Sequence, residues 1–474
     1  MGAAGGDGPG DRRGTTRRRW PFAASRNSGS VFRRWARPPQ ITVATFALAV
    51  AAGTAALMFP GASTAGEPTA PIEALFTAVS AVCVTGLIVV DTPTHWSLWG
   101  QWTILVLIQI GGVGIMTLAS VLILTVRRSI NLRLQVTTGG ETKALGLGDV
   151  RRLALGIIGF TLLFESVTAA LLALRFGLGY GYPAGRAVYH GVFHAVSSFN
   201  NAGFALYSDS LMGFATDPWI TLPIAFAVIA GGLGFPVWVE IWRRRHPQHR
   251  RWSLHTRITV WATAVLLVIG TVLISAMEWD NPGTLGPMDP ADKLLAGFFH
   301  SVMPRTVGFN SLDVAEFTTQ TLFVNDMLMF IGGGSAGTAG GIKVTTFALL
   351  GFVILSNIRG ETQVHVGDRK IGVGVQQQAA TVTLLALGLV VVSTLYLITI
   401  TPFTLDQVLF EVISAFATVG MSTGITADIP ASGQMVLILL MFIGRVGPIT
   451  LATALALRSR ARQYDYPEEH AIVG

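Results

Sequence analysis

The chain has 474 residues and a formal net charge of +7; 51% of its residues are hydrophobic and only 12% are charged, with a mean hydropathy of +0.56. This composition excludes an ordinary soluble domain and predicts an all-α polytopic membrane protein. The single cysteine, Cys83, excludes an intramolecular disulfide and a multi-cysteine metal site.

Apolar runs long enough to cross about 30 Å of hydrocarbon recur along the chain. Seven are continuous, at residues 41–60, 102–126, 153–174, 219–239, 258–277, 378–400 and 435–457. An eighth, near 322–355, is interrupted in its middle by a glycine-rich stretch. The sequence therefore predicts eight spans, one of them broken.

Arginine and lysine set the expected orientation, because they concentrate in cytoplasmic loops. Basic clusters lie at residues 12–37, 127–152, 243–257, 359–370 and 458–462. Both termini are therefore expected in the cytoplasm, with residues 1–38 as a disordered basic tail and 459–474 as a second tail. Contact of the first tail with anionic lipid is an alternative to a purely topological role.

Four short segments align with a glycine in register, and a phenylalanine lies ten residues before each glycine. The glycines are 117, 105 and 112 residues apart, and the aligned residues are Gly86, Gly203, Gly308 and Gly420, with Phe76, Phe193, Phe298 and Phe410. This spacing predicts four consecutive repeats. Their ranges are 39–128, 150–245, 256–358 with a broken second helix, and 376–458.

Each repeat carries a stretch of about twelve residues that is too short to span the membrane. These stretches are residues 71–82, 187–199, 292–303 and 405–417. We predict re-entrant pore helices, giving helix–pore loop–helix repeats around a pseudo-fourfold central pore. Their C-terminal ends would direct partial negative charge to the axis and favour a cation there.

The residues after these helices are the candidate selectivity filter, since glycine lets backbone carbonyls face a narrow passage and replace an ion's water. The filter residues are Val84, Thr85, Gly86, Asn201, Ala202, Gly203, Thr306, Val307, Gly308, Thr418, Val419 and Gly420. Serine precedes three of the glycines by six residues, at Ser80, Ser197 and Ser414, with Val302 in the third repeat. Glycines that only allow close helix packing are the alternative.

These motifs resemble the Trk/Ktr/HKT superfamily of potassium transporters, and most of all the ion-translocating subunit of its bacterial KtrB branch. The resemblance covers residue 38 to the end and rests on VCVTGLIVVDT (82–92), SFNNAGFAL (198–206), RTVGFNS (305–311), GGGSAGTAGGIKVTTF (332–347), AFATVGMSTGIT (415–426) and GRVGPIT (444–450). It implies potassium uptake across the bacterial cytoplasmic membrane, with glycine rather than serine at residue 86 matching potassium selectivity. Sodium is implied as a candidate activator.

The resemblance also implies partners. The family's subunits form homodimers on a cytosolic ring of nucleotide-binding, KtrA-like regulatory subunits. No cofactor is expected on the chain itself, and nucleotide is expected only on the regulatory partner. Contact with membrane lipid is expected, and nucleic acid is not.

The glycine run in the interrupted span is the candidate gate, because the family has an obstructing intramembrane loop there. The gate residues are Gly332, Gly333, Gly334, Ser335, Gly337, Thr338, Gly340, Gly341 and Lys343, with Arg445 as an electrostatic barrier. A phosphate loop is disfavoured because Lys343 lies between Ile342 and Val344. A kinked helix packed against its neighbours is one alternative. For Arg445 the alternative is an ion pair with Glu411 or Glu165.

Other classes of function remain as alternatives. A sodium-permeable pore and an alternating-access carrier fit the same composition, although the repeats are parallel rather than inverted. An enzyme is not expected, since hydrolase motifs such as His-Glu-x-x-His are missing. Glu411 and Asp91 are expected to brace the pore helices or to fix the outer mouth of the filter rather than to coordinate ions directly. His190, His194 and His300 are expected to make interfacial hydrogen bonds.

Overall fold

The computed structural model describes residues 38–136, 147–243, 252–361, 363–367 and 369–447. Residues 1–37 of the first expected tail, the whole expected tail 459–474, and the part of the last span beyond 447 lie outside these ranges. The described residues form α-helices joined by short connections, with one small hairpin, β1 (His365–Val366) with β2 (Arg369–Lys370), paired antiparallel.

The described residues contain fifteen α-helices. In order they are α1 (Pro38–Leu57), α2 (Pro71–Val82), α3 (Thr92–His95), α4 (Leu98–Val136), α5 (Leu147–Tyr180), α6 (Ala184–Phe199), α7 (Pro218–Leu233), α8 (Phe235–Arg243), α9 (Leu254–Glu278), α10 (Pro290–Val302), α11 (Thr319–Phe330), α12 (Val344–Ile358), α13 (Val373–Ile400), α14 (Leu405–Ala417) and α15 (Ala431–Val446).

Four helices of the described residues are long and apolar enough to cross a membrane: α5, α9, α13 and the first part of α4. A fifth crossing results when the bent pair α7 and α8 counts as one. Their outward faces carry many exposed large hydrophobic side chains, as expected of surfaces that meet lipid. The expectation of an all-α polytopic membrane protein is confirmed.

The short helices α2, α6, α10 and α14 lie inside the molecule and are surrounded by the longer ones. Pro71 and Pro290 occupy first-turn positions where no backbone N–H is needed, and a capping box between Thr404 and Gln407 starts α14. Helices α2 and α14 have the bounds expected from the sequence. Helix α6 begins three residues earlier than expected, and α10 begins two earlier and ends one earlier.

The phenylalanines that mark the repeats pack into this interior. Phe76, Phe193 and Phe410 are fully buried, whereas in α10 Phe298 is only partly buried and its neighbour Phe299 is fully buried. These rings anchor the short helices, because each large side chain removed from water contributes about 1.5–3 kcal/mol.

The expectation of one continuous span at residues 219–239 is wrong. Helix α7 ends at Leu233 and α8 continues at an angle of 94°. The cause is Gly234, which has a φ of +88°, followed by Pro236, which lacks an N–H for the helix ladder. In the part of the span expected at 435–457 that the structure describes, α15 ends at Val446 and Gly447 has a φ of +93°.

Candidate functional site

Four glycine segments, residues 84–86, 201–203, 306–308 and 418–420, meet in a closed cycle. A Cβ built on each glycine would lie closer than 3.0 Å to the carbonyl oxygen that precedes the next segment's glycine, a separation that real Cβ atoms essentially never show. The pairs are Gly86 with Ala202, Gly203 with Val307, Gly308 with Val419, and Gly420 with Thr85. Four backbone carbonyls and four glycines therefore alternate around one centre.

The backbone of each segment is left-handed at the glycine and also two residues earlier. These earlier residues are Val84 (φ +54°), Asn201 (+61°), Thr306 (+77°) and Thr418 (+52°). A left-handed non-glycine residue costs roughly 1–2 kcal/mol, and three of the four are β-branched. The surrounding structure must impose this conformation, since the intrinsic preferences of the residues oppose it.

The C-terminal ends of the short helices hold the segments in place. The N–H of Thr85 donates to Ser80 O at 2.7 Å, and Ala202 and Val419 make the equivalent bonds at 2.7 and 2.8 Å, to the carbonyls of Ser197 and Ser414. In the third segment Val307 N donates to Met303 O at 3.1 Å.

The serine side chains add to this support. Ser80 Oγ accepts from Gly86 N at 3.0 Å, and Ser414 Oγ accepts from Gly420 N at 3.1 Å. Ser197 Oγ instead donates to Phe204 O at 2.8 Å. The aligned serines therefore fix the glycine segments from behind.

All four glycines line one cavity of about 560 Å³, which we call the outer cavity. Asp91 lines it too, and its Oδ2 accepts from Ser208 Oγ at 2.7 Å and Thr94 Oγ1 at 2.6 Å. The Asp91 carboxylate thus ties the chain after the first glycine segment to the chain after the second.

Glu411 of α14 braces the fourth segment. Its buried carboxylate accepts from Ser422 Oγ, from Thr423 N at 3.2 Å and from Thr426 Oγ1 at 3.1 Å. Three donors on the chain that leaves Gly420 therefore converge on one side chain of the preceding helix. This contact has the bracing geometry expected from the sequence.

The glycine-rich loop, residues 331–343, joins α11 to α12 and lies against the C-terminal end of α7. Gly334 N donates to Gly232 O at 2.8 Å, and Thr338 N donates to Gly231 O at 3.1 Å. A Cβ at residues 333, 334 or 337 would lie 2.6–2.9 Å from a carbonyl oxygen of residue 232 or 233. Glycine is needed at these positions because backbone packs directly on backbone.

The same loop touches two glycine segments. Thr338 Oγ1 donates towards Asn201 Oδ1 at 2.9 Å, and Gly340 lies directly against the Thr418 side chain. Lys343 Nζ turns back and donates to Ala339 O, while Ser335 Oγ and Thr345 Oγ1 are 3.0 Å apart. The sequence-predicted gate residues and two of the four glycine segments are thus brought together.

Arg445 reaches this loop from α15. It is 4% exposed and donates to the carbonyl oxygen of Thr338 and, at 3.5 Å, to that of Gly111. The alternative of an ion pair with an acid is wrong for this residue, because Arg445 bonds to carbonyls and both candidate acids bond to other groups. Glu411 accepts from the fourth segment, and Glu165 accepts from Gln109 at 3.1 Å and from the Asn200 amide at 2.8 Å.

A second glycine motif was missed in the sequence. Glycines spaced three residues apart occur at 111/114, 231/234 and 444/447. A Cβ on Gly111, Gly231 or Gly444 would collide with a carbonyl at the end of a short helix, those of Val82, Phe199 and Phe416 respectively. In the third repeat Gly332 instead faces Gly340 O within the glycine-rich loop. The signal was the repeated Gly-x-x-Gly spacing, with Arg445 at the second position of the last copy.

The histidines of the short helices behave differently from one another. His190 Nδ1 lies 3.0 Å from Tyr207 Oη, and His194 Nδ1 lies 2.8 Å from His190 O. His300 makes no hydrogen bond with the described residues and packs edge-on against Phe317. Two of the three histidines therefore make hydrogen bonds among the described residues, and His194 is fully buried. No group of metal-ligating side chains occurs in the described part of the chain.

Comparisons with known proteins identify the family of the chain. Residues 21–463 match the family model of TrkH, described as a cation transport protein. The chain is 37% identical over 446 residues to the Ktr system potassium uptake protein B of Bacillus subtilis (strain 168), covering 93% of this chain and 98% of that protein. It is 35% identical to the potassium/sodium uptake protein NtpJ of Enterococcus hirae, covering 92% and 97%.

A solved structure shares the fold. The crystal structure of the potassium transporter TrkH from Vibrio parahaemolyticus superposes with a TM-score of 0.71 at 18% identity, over 90% of this chain and 86% of that one.

Proposed function

The chain belongs to the TrkH family of cation transport proteins, and on that premise we propose that it takes up potassium across the cytoplasmic membrane of a bacterium. The ion passes through a channel-like filter formed by the four glycine segments. The glycine-rich loop gates the pathway beneath them.

One observation carries this proposal: the four glycines alternate with four backbone carbonyls in a closed cycle and line a single outer cavity. A ring of carbonyl oxygens can replace the hydration shell of a monovalent cation. Four repeats contribute one segment each, so a pseudo-fourfold pore in one polypeptide accounts for the arrangement.

Potassium is proposed as the ion because glycine occupies the aligned position in all four segments, including Gly86. The names of the relatives support this choice, and NtpJ, named for potassium and sodium, supports a sodium-permeable pore as the second candidate. Sodium as an activator belongs to the same question. The membrane potential would drive entry, at about 2.3 kcal/mol per charge per 100 mV.

The gate proposal rests on three contacts of the glycine-rich loop. Thr338 bonds to Asn201, Gly340 lies against Thr418, and the carbonyl of Thr338 accepts from Arg445. A glycine-rich loop is held mainly by backbone hydrogen bonds, so it can move away from the pathway without disrupting the packing of large side chains. Arg445 would add a positive charge on the cation's route.

We extend the proposal to assembly and orientation. A homodimer with one pore in each protomer, both termini in the cytoplasm and a KtrA-like, nucleotide-binding ring below the membrane would suit the Ktr-system relatives. Light scattering of the purified chain tests the dimer, and capture of a nucleotide-binding subunit on the immobilised chain tests the ring.

The decisive experiment is complementation of a potassium-uptake-deficient bacterium. The parent chain should restore growth at low potassium, and Gly86→Ser should weaken discrimination between potassium and sodium, since a side chain enters the space of the Ala202 carbonyl. Gly388→Ser is the matched control, because nothing lies within 4 Å of a Cβ there. Equal discrimination by parent and Gly86→Ser would contradict the filter proposal.

Rubidium flux separates a pore from a carrier. In proteoliposomes a pore should pass rubidium down an imposed potential in either direction with no coupling ion. An absolute requirement for a counter-transported or co-transported ion would favour alternating access instead.

A further inference from the structure

The four glycine segments are equivalent in backbone but not in the side chain two residues before the glycine. Val84 has no polar atom, and Thr418 Oγ1 has no hydrogen-bond partner among the described residues. Thr306 Oγ1 lies 3.5 Å from Asn201 Nδ2, a long contact. Of these four side chains, Asn201 is the one that hydrogen-bonds to the glycine-rich loop, at 2.9 Å from Thr338 Oγ1.

Thr338 is the point of the loop where most contacts meet. It is fully buried, and its three polar groups bond to three different parts of the chain. Its N–H donates to Gly231 O of α7, its carbonyl accepts from Arg445 of α15, and its hydroxyl lies between Asn201 Oδ1 and Phe199 O, at 2.9 and 3.2 Å. A displacement of the loop therefore removes a partner from Asn201.

We propose that the Asn201–Thr338 hydrogen bond makes ion selectivity depend on the position of the glycine-rich loop. This inference rests on the proposed function and adds to it a named residue through which the gate acts on the filter. Asn201 is a positioning residue here: the carbonyl that faces Gly86 belongs to Ala202, the next residue in the chain.

The physical reason lies in the burial of the Asn201 amide. With the loop in place the side chain is 1% exposed, and Thr338 of the loop is the hydrogen-bond partner of its Oδ1. A buried amide without a partner is costly, and it must reorganise against Thr306 or move. Either response shifts the Ala202 carbonyl at the boundary between the first and second glycine segments. The effect should be confined to that side of the cycle.

The test measures selectivity separately from flux rate, with the full-length chain in proteoliposomes. Uptake of radioactive rubidium is measured in competition with potassium or with sodium. The selectivity is the inhibition constant for sodium divided by the inhibition constant for potassium. Thr338→Val keeps the side-chain shape and removes the hydroxyl; it should lower the ratio on the order of five-fold, the worth of one neutral hydrogen bond. Thr338→Ser should restore the parent ratio.

The double variant decides whether the two side chains act together. Asn201→Leu with Thr338→Val should show no greater loss of selectivity than Asn201→Leu alone, because both changes break the same contact. Thr383→Val is the matched control, since the Thr383 hydroxyl bonds only within α13, to Ala379 O at 3.0 Å. If Thr338→Val does not accumulate, Thr338→Ala makes the same comparison with a smaller side chain.

Two outcomes would overturn the inference: a faster flux with an unchanged ratio in Thr338→Val, or losses that multiply in the double variant. Both leave the parent chain potassium-selective. Failure of the proposed function is distinguishable, because the parent itself would then show no rubidium uptake that potassium competes.

Discussion

The carbonyl oxygen of Thr85 lies against Gly420, in the space that a side chain at residue 420 would need. These residues are far apart in the sequence, and their contact joins the first glycine segment to the last. The cycle through Gly203 and Gly308 is thereby closed within one polypeptide. Each glycine is constrained twice, by its left-handed backbone and by the carbonyl packed on its Cα.

Gly420→Ala tests this double constraint. The φ of +93° alone costs an alanine roughly 1–2 kcal/mol, and the methyl group would also displace the Thr85 carbonyl. We expect rubidium uptake to fall about tenfold or more and potassium selectivity to weaken. Uptake and selectivity in proteoliposomes are the measurements.

Gly388→Ala is the control for that substitution. Residue 388 is inside α13 and a Cβ there meets open space, so alanine should raise helix stability by up to about 1 kcal/mol and leave uptake unaltered. Parent-like uptake and selectivity in Gly420→Ala would show that the carbonyl of Thr85 is not held against this glycine.

The second glycine motif gives a separate prediction about stability. A methyl group at Gly444 would collide with the backbone carbonyl of Phe416 at the end of α14, and backbone cannot rotate away. At Gly433, on the same helix, the nearest atoms belong to the Ile429 and Leu397 side chains. We expect Gly444→Ala to lower the thermal unfolding midpoint in detergent clearly more than Gly433→Ala. Equal shifts would contradict the distinction between backbone and side-chain neighbours.

Much of this architecture was predictable because it follows from composition and periodicity. Glycine register placed the four segments, and the predicted bounds of α2 and α14 match those of the structure. The resemblance to the family is confirmed by the comparisons. The 94° bend at Gly234 was not predicted, because apolar residues continue on both sides and hydropathy carries no information about φ.

The details of the candidate site depend on tertiary contacts that a sequence does not display. Left-handed Val84 and Thr418 oppose their own preferences and are imposed by neighbours. Arg445 was expected to have an acidic partner as its alternative role, yet it bonds to carbonyls of Thr338 and Gly111. Carbonyl partners leave no signature in the sequence, because every residue has one.

Arg445→Gln should loosen the glycine-rich loop. The guanidinium bonds to two carbonyls without a carboxylate partner in the described residues, and hydrogen bonds to charged groups contribute about 1.5–3 kcal/mol. We expect the resting rubidium leak in proteoliposomes to rise by roughly tenfold. Arg445→Lys separates the effect of the positive charge from that of the hydrogen bonds, since it keeps the charge and loses the simultaneous contact with two carbonyls.

The control for Arg445 is Arg359→Gln, because Arg359 is exposed at the end of α12. Its leak should match that of the parent. A parent-like leak in Arg445→Gln would mean that these contacts do not restrain the loop, whereas a leak in Arg445→Gln that Arg445→Lys fully corrects would assign the effect to charge alone.

Substitution of Glu411 tests whether its contacts with Ser422, Thr423 and Thr426 brace the chain after Gly420. Glu411→Leu would leave the buried Thr423 N without its acceptor. It would also remove an acceptor from the half-buried Ser422 Oγ and from Thr426 Oγ1, which keeps Ser422 Oγ as a second acceptor. An unsatisfied buried donor costs about 1–3 kcal/mol, so the free energy of unfolding should fall by about that amount. Glu411→Gln keeps one acceptor oxygen and should lose less.

Asp428→Leu is the matched acidic control, because Asp428 is exposed on the same outer connection. Thermal unfolding in detergent, followed with and without potassium, measures both effects. The Glu411→Leu variant should also lose part of any stabilisation by potassium, since the chain that leaves Gly420 is no longer fixed to α14. A Glu411→Leu midpoint equal to that of Asp428→Leu would refute the brace, because removing the buried, hydrogen-bonded carboxylate would then cost no more than removing an exposed one.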